Sequence, residues 1–139
     1  MAGYSGTPLV KKLGIKNGHT LLLLAAPPGI EKTIGKLPDG VKVVREISRQ
    51  GAVDVAVFFT QSKADLVKRF MKVAASLDPN GGLWIAWPKK ASGVATDMTE
   101  NVVRDVALPK GLVDNKVCAI DDTWSGLRLV YRLENRPKG

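Results

Sequence analysis

The sequence predicts an α/β fold: a three-layer sandwich on a mostly parallel six-stranded sheet that ends in a C-terminal antiparallel hairpin. Three observations predict it. Apolar runs of strand length alternate with segments of helical period. Thr20–Ala26 and Val53–Thr60 are apolar at consecutive positions, as parallel strands covered on both faces are. The last two runs, Val113–Ile120 and Leu127–Leu133, are joined by Asp121-Asp122-Thr123-Trp124-Ser125-Gly126, too short for a crossover helix, so they must lie antiparallel. With 139 residues, 45% hydrophobic and 24% charged, the chain has the length of one domain, 1–139, and side chains enough for a proper core.

The elements follow in order. Thr7–Gly14 reads as a short helix, with Thr7 as cap, Pro8 in the first turn and Gly14 closing it left-handed. Asn17-Gly18 is a turn before the first strand, Thr20–Ala26, which Pro27-Pro28-Gly29 stops. Ile30–Leu37 gives about two helical turns before the Pro38-Asp39-Gly40 turn. Val41–Val44 is the second strand and Val53–Thr60 the third. Ile47 and Val53 are too close in sequence for a parallel crossover, so either the second strand ends near Val44 and 45–52 runs back extended, the favoured reading, or the strand pairs antiparallel. Ser62-Lys63-Ala64-Asp65 resembles a capping box and opens the longest helix, whose inner face is Leu66, Phe70, Val73, Ala74 and Leu77. Asp78–Gly82 reads as a turn, Leu83–Trp87 as the fourth strand, Pro88–Asp97 as a loop, and Thr99 as the cap of a helix reaching Leu108.

Composition excludes several classes. No apolar run approaches the roughly 20 residues that span a bilayer, and the N-terminus has neither a signal-peptide pattern nor a myristoylation glycine. One cysteine, Cys118, excludes an internal disulfide and a multi-thiolate zinc site; in a predicted strand it reads as a small buried apolar residue. The expectation is a cytoplasmic protein without membrane contact. Charge is the skewed quantity: 21 Lys and Arg against 13 Asp and Glu, a formal +8. Residues 1–72 hold 12 basic and 5 acidic side chains, a balance of +7, whereas 73–139 hold 9 and 8, a balance of +1. A basic half suits an acidic protein, a phosphate-bearing ligand or nucleic acid, although no RGG, RNP or helix-turn-helix signature accompanies it. Lys63, Lys68, Arg69 and Lys72 read most simply as a solvated helix face.

The common catalytic and nucleotide motifs fail. A phosphate loop nearly occurs at Gly29–Leu37, but five residues rather than four separate its glycines and Leu37 stands where a hydroxyl is needed. After the first strand, where a dinucleotide loop would place glycines, Ala25-Ala26-Pro27-Pro28 stands, and two prolines remove two amide donors. There is no G-x-S-x-G nucleophile elbow, and His19, the only histidine, follows a turn. No catalytic residue, metal or cofactor is assigned. What survives is positional, because open α/β sheets bind ligands beyond the carboxyl ends of their parallel strands. That rim gathers Pro27-Pro28-Gly29, Gln61-Ser62, the Lys89–Thr99 loop and the Asp121–Trp124 loop. Lys89, Lys90, Ser92 and Thr99 suit a phosphate or carboxylate, Asp121 shares the rim, and Trp124 offers a stacking surface. The competing structural reading pairs Lys89 or Lys90 with Asp121 or Asp122 and uses Trp124 to cap the core.

Two resemblances add to this. Gly81–Lys90, followed by Gly111-Leu112-Val113-Asp114 and Trp124-Ser125-Gly126-Leu127-Arg128-Leu129-Val130, is similar to a bacterial family known only as a domain of unknown function, number three thousand and fifty-two. The opening Ala2–Leu9 with Lys11-Lys12-Leu13-Gly14 resembles one branch of it, so the likeness covers roughly 2–136. It implies a bacterial cytoplasmic protein and no reaction. More faintly, Leu13–Leu22 and Leu77-Asp78-Pro79-Asn80-Gly81-Gly82 are similar to segments flanking strands of the Rossmann-like S-adenosylmethionine-dependent methyltransferase fold. That likeness implies a truncated version of the fold with strand order 2-1-3-4-6-5 and strand 6 antiparallel. At the cofactor position the chain departs from the pattern: the acidic residue and glycines after the first strand are missing, and Glu46 is the available acid after the second. The expected function is therefore a non-enzymatic binding or regulatory module. The alternatives are a divergent enzyme of an S-adenosylmethionine or phosphate ligand, and a nucleic-acid-binding protein gripping through Lys68, Arg69 and Lys72.

Overall fold

Strands buried on both faces need a helical layer on each side, and four α-helices among the described residues supply it. The structure, a computed structural model, describes residues 7–135. In order it contains α1 (Leu9–Leu13), β1 (Thr20–Leu24), α2 (Ile30–Ile34), β2 (Lys42–Val44), β3 (Val53–Phe59), α3 (Lys63–Ser76), β4 (Leu77–Pro88), α4 (Glu100–Ala107), β5 (Leu112–Ala119) and β6 (Trp124–Tyr131). One sheet has the order β2-β1-β3-β4-β6-β5. The pairs β1–β2, β1–β3 and β3–β4 are parallel, while β6 runs antiparallel to both β4 and β5. The fold class and strand order are those expected.

Leu21, Leu23, Val55, Val57, Trp84 and Ala86 face α1 and α2, where Leu13, Ile15, Ile30 and Ile34 cover them. Leu22, Ala56, Phe58, Leu83, Ile85, Leu127 and Leu129 face α3 and α4, against Leu66, Phe70, Val73 and Val103. Burying each such side chain stabilises the fold by about 1.5–3 kcal/mol. Trp84 is buried and also polar: its indole N–H donates to the Leu13 carbonyl at 3.0 Å, tying α1 to the centre of the sheet. Gly126, opposite Ala86 on β6, gives that indole its space, since a Cβ there would stand 3.0 Å from the ring.

Several boundaries move, each for a local reason. α1 starts at Leu9 with Pro8 in the capping position, so Thr7 is not the cap, while Gly14 does close it at φ +80°. β1 ends at Leu24 rather than Ala26, because Ala25 takes a left-handed φ of +56°. α2 stops at Ile34, where Gly35 has φ +88°. β2 ends at Val44, and 45–52 returns without helix or strand, as the short link requires. Asp78–Gly82 is not a free turn but an irregularity inside β4: Leu77 pairs with Val53, and pairing resumes with Gly82 opposite Val55. Gly81 lies so near the Asp54 carbonyl oxygen that a Cβ would come within 2.5 Å. β6 begins at Trp124 instead of Leu127, which shortens the hairpin link to 120–123. Met98 is buried, whereas Met71 is exposed on α3. Cys118 is half-buried rather than buried, and burial pushes its thiol up while Lys12 and Lys116 pull it down.

Trp84→Phe should lower the unfolding free energy in urea by at least about 2 kcal/mol. It removes buried ring volume and leaves the Leu13 carbonyl without its donor.

Candidate functional site

The carboxyl ends of β1, β3 and β4 and the start of β6 meet at one rim: Leu24 is level with Phe58, Phe59 with Ala86, and Pro88 with Trp124. A cleft of about 420 Å³ opens there between the ends of β1 and β3. Ala25 and Pro27 from the β1–α2 loop form one side, Phe59, Thr60 and Gln61 the floor, Ser62 and Asp65 the α3 side, and Trp124 the far wall. Trp124 and Phe59 meet edge to face, ring centres 5.1 Å apart at 86°. Ala86, on the strand between theirs, has the small side chain that lets them meet.

The polar side of the cleft is locked by α3. The Ser62 side chain caps that helix by accepting from the Asp65 amide at 3.1 Å, as its spacing predicts. The reciprocal half of a capping box is absent. Ser62 N–H donates instead to the Thr60 hydroxyl at 3.3 Å, and that hydroxyl donates to Asp65 Oδ2 at 2.9 Å. Asp65 Oδ1 lies 3.5 Å from Arg69, an exposed pair of little energetic weight. Thr60 is 4% exposed, so its hydroxyl is satisfied within the protein and holds the Asp65 carboxylate at the cleft edge. The 89–99 loop is fastened to the same turn, with the Thr96 hydroxyl donating to the Gln61 carbonyl and the Lys63 amide donating to Asp97 at 2.8 Å.

Of the residues singled out in sequence, Trp124 lines this cleft, together with Pro27, Gln61 and Ser62 of the expected rim. Asp121 lies in the hairpin link, where one carboxylate oxygen accepts the amides of Thr123 and Trp124 at 2.8 Å each and so orients the Trp124 backbone. Lys89 joins this link through its backbone, its amide donating to the Thr123 carbonyl at 2.8 Å. The Lys89 side chain is half-buried and that of Lys90 exposed, and among the described residues neither forms an ion pair with Asp121 or Asp122. Ser92 donates to the Lys89 carbonyl at 2.7 Å, closing the short turn Lys90–Ser92. Thr99 caps α4 by accepting the Val102 amide at 3.1 Å. Lys89, Lys90, Ser92 and Thr99 are not among the cleft's lining residues. The residues not singled out in sequence were Ala25, Phe59, Thr60 and Asp65. Their signal was Phe59-Thr60 closing a strand directly before the Gln61-Ser62 rim segment.

The DUF3052 family, described as a protein of unknown function, matches the chain over residues 30–133. No curated protein matches it in sequence. In structure it is similar to a SAM-dependent methyltransferase from Aquifex aeolicus, with TM-score 0.58 and 16% identity over 87% of this chain and 86% of that one. It is similar to DhpI in its complex with SAH, with TM-score 0.61 and 12% identity over 92% and 81%. It is also similar to the PH0226 protein from Pyrococcus horikoshii OT3, with TM-score 0.53 and 10% identity over 89% and 86%. The chain belongs to the DUF3052 family, and its fold is methyltransferase-like.

That fold implies S-adenosylmethionine, and the loop after β1 does not suit it. Pro27 and Pro28 carry no N–H, the Ile30 amide is taken by the Pro27 carbonyl, and those of Lys32 and Thr33 by Gly29. Glu46 is exposed and does not line the cleft.

Lys89→Ala with Lys90→Ala should leave the thermal midpoint within about 2 °C, as expected for surface changes of less than about 0.5 kcal/mol. Ser62→Ala should cost about 1 kcal/mol through loss of the α3 cap. Thermal unfolding of the three proteins side by side checks both.

Proposed function

We propose that this DUF3052 protein is a non-catalytic binding or regulatory module that has kept a methyltransferase-like scaffold and uses the rim cleft for recognition. The β1–α2 turn carries the reading. Ala25, Ala26, Pro27 and Pro28 replace the glycines and acid at the place where the scaffold would cradle a cofactor, and they present apolar surface with few donors. Ala25 holds its left-handed φ of +56° at a cost of order 1–2 kcal/mol that glycine would not incur, so the turn's shape persists without its glycine.

Recognition needs only surface, and the cleft has it. The Trp124–Phe59 wall suits a flat apolar group, and Gln61, Ser62 and Asp65 give its polar end partners. Lys89 and Lys90 flank the hairpin link and favour a ligand or partner with an anionic extension. The enzyme reading retains one specific support: the methyltransferase from Aquifex aeolicus shares the fold over more than four-fifths of both chains.

A thermal-shift titration with S-adenosylmethionine and S-adenosylhomocysteine to millimolar concentration, paired with a methyl-transfer assay, separates the two. A ligand at 100 times its Kd stabilises by about 2.7 kcal/mol, which moves the midpoint of a domain this size by several degrees. A flat response and no transfer are expected. A saturable shift with labelled product would overturn the non-catalytic reading.

A further inference from the structure

The two helical layers carry very different charge. On the α3–α4 side the cations Lys63, Lys68, Arg69, Lys72, Arg104 and Lys110 are nearly matched by Asp65, Asp97, Glu100, Asp105 and Asp114. Part of that charge is tied up: Arg69 pairs with Asp65, and Arg104 with Glu100 and Asp114. On the other side, Lys11, Lys12, Lys16, Lys32 and Lys36 lie on or beside α1 and α2. Lys116 joins them from β5: it shares the face of Cys118, which packs against the α1–α2 core. None of these six lysines forms an ion pair among the described residues; the acid of α2, Glu31, is engaged by Arg45, and the nearby acids are Asp39 in the turn after α2 and Asp54 and Asp78, which share a pocket with Lys16 and Arg128.

The lysines form a band rather than a spot. α2 lies over β1 and β2, where Glu31, Ile34 and Leu37 meet Leu21, Leu23 and Val43. α1 reaches the middle of the sheet through the Trp84–Leu13 hydrogen bond. Lys116 stands on the opposite edge strand, on the same face as Cys118, which packs against the α1–α2 core. The band therefore crosses a six-stranded sheet, about 24 Å at a strand spacing of about 4.8 Å. Along that length one strand of a duplex carries about seven phosphates. A groove of about 580 Å³ between α1 and the Pro38 turn, with Lys11 and Lys16 among its lining residues, lies within it.

We propose that this α1–α2 face is a docking surface for the phosphate backbone of a nucleic acid. The alternative polyanion, an acidic protein, is disfavoured by what the face lacks. Protein interfaces are anchored by buried apolar and aromatic side chains. Of the six large exposed apolar residues among the described ones, Val67, Met71, Leu108 and Val117 belong to the α3–α4 side, and Val94 and Leu133 lie in the 89–99 loop and after β6, off α1 and α2. Among the described residues the lysine band has no large exposed apolar or aromatic side chain, and such a band grips phosphates without reading bases, so recognition is independent of sequence. The surface is separate from the rim cleft, and neither proposal rests on the other.

Fluorescence anisotropy with a labelled 20-base-pair DNA duplex, a 20-nucleotide single-stranded RNA and a poly-glutamate peptide tests this across 50–200 mM KCl. About four engaged phosphates give a slope of log K against log salt of about −3.6 on the duplex, a weakening of about 150-fold over that range. The triple variant Lys11→Glu, Lys32→Glu, Lys36→Glu should reduce affinity at least tenfold and flatten the slope. Lys63→Glu, Lys68→Glu, Lys72→Glu, with the same change in net charge, should stay within about threefold of the parent. Thermal midpoints confirm that both are folded, and Lys→Gln versions replace either that is not. Equal losses from both faces, poly-glutamate binding as tight as either oligonucleotide, or no binding at 50 mM would each overturn the proposal.

Discussion

Burial of β3 and β4 on both faces is the constraint from which the rest of the structure follows. Val55, Val57 and Trp84 point one way, Ala56, Phe58, Leu83 and Ile85 the other, and all are essentially inaccessible to water. An apolar strand with two dry faces is stable only when each face is covered. α3 and α4, of fourteen and eight residues, cover one. α1 and α2, five residues each, cover the other and are too short to hold their own conformation. They depend on what lies beneath them, which is why the buried Trp84 N–H to Leu13 carbonyl bond matters beyond its own energy. The glycines of the segments resembling the family serve the same packing: Gly126 makes room for the Trp84 ring, and Gly82 for the Arg128 side chain.

The sheet's topology decides which loops meet at one rim. Three parallel strands end together while β6 enters antiparallel beside them, so one rim collects loop residues from the β1, β3, β4 and hairpin connections. At that rim apolar surface outweighs polar surface. Pro27 and Pro28 carry no amide N–H, Trp124 and Phe59 supply flat walls, and the buried Thr60 hydroxyl donates to one oxygen of the Asp65 carboxylate. On a shared scaffold, the groups at the strand ends rather than the scaffold set what a chain can bind.

Electrostatics divides the molecule along a different line from chemistry. The sequence shows the basic excess in its first half, and a solvated helix with Lys68, Arg69 and Lys72 is the natural place to look for a polyanion grip. Folding brings acids from the second half, Asp97, Glu100, Asp105 and Asp114, to the side where α3 lies. The unbalanced charge is left on α1, α2 and the far edge strand. Field strength at a surface depends on summed charge within about a Debye length, about 8 Å at physiological salt, and not on position in the chain.

Element order, the Ser62 and Thr99 caps, the Gly14 stop, the antiparallel hairpin and the early end of β2 were all legible in the residues. Each depends on side chains a few positions apart, or on how far a short link can reach. Boundaries near Ala25 and Asp78–Gly82 were not legible. A left-handed alanine and an irregular strand are tolerated only because neighbouring strands hold them. The cleft itself was half legible, in that strand ends named its neighbourhood through Pro27, Gln61, Ser62 and Trp124. The Trp124–Phe59 contact, the Thr60–Asp65 bond and the fastening of Thr96 to Gln61 needed strand register and loop paths. The sequence alone determined which elements form and in what order, because propensity and periodicity are local. Only the tertiary structure decided which side chains meet at the rim and which face keeps its charge, because those depend on distances between residues far apart in the chain.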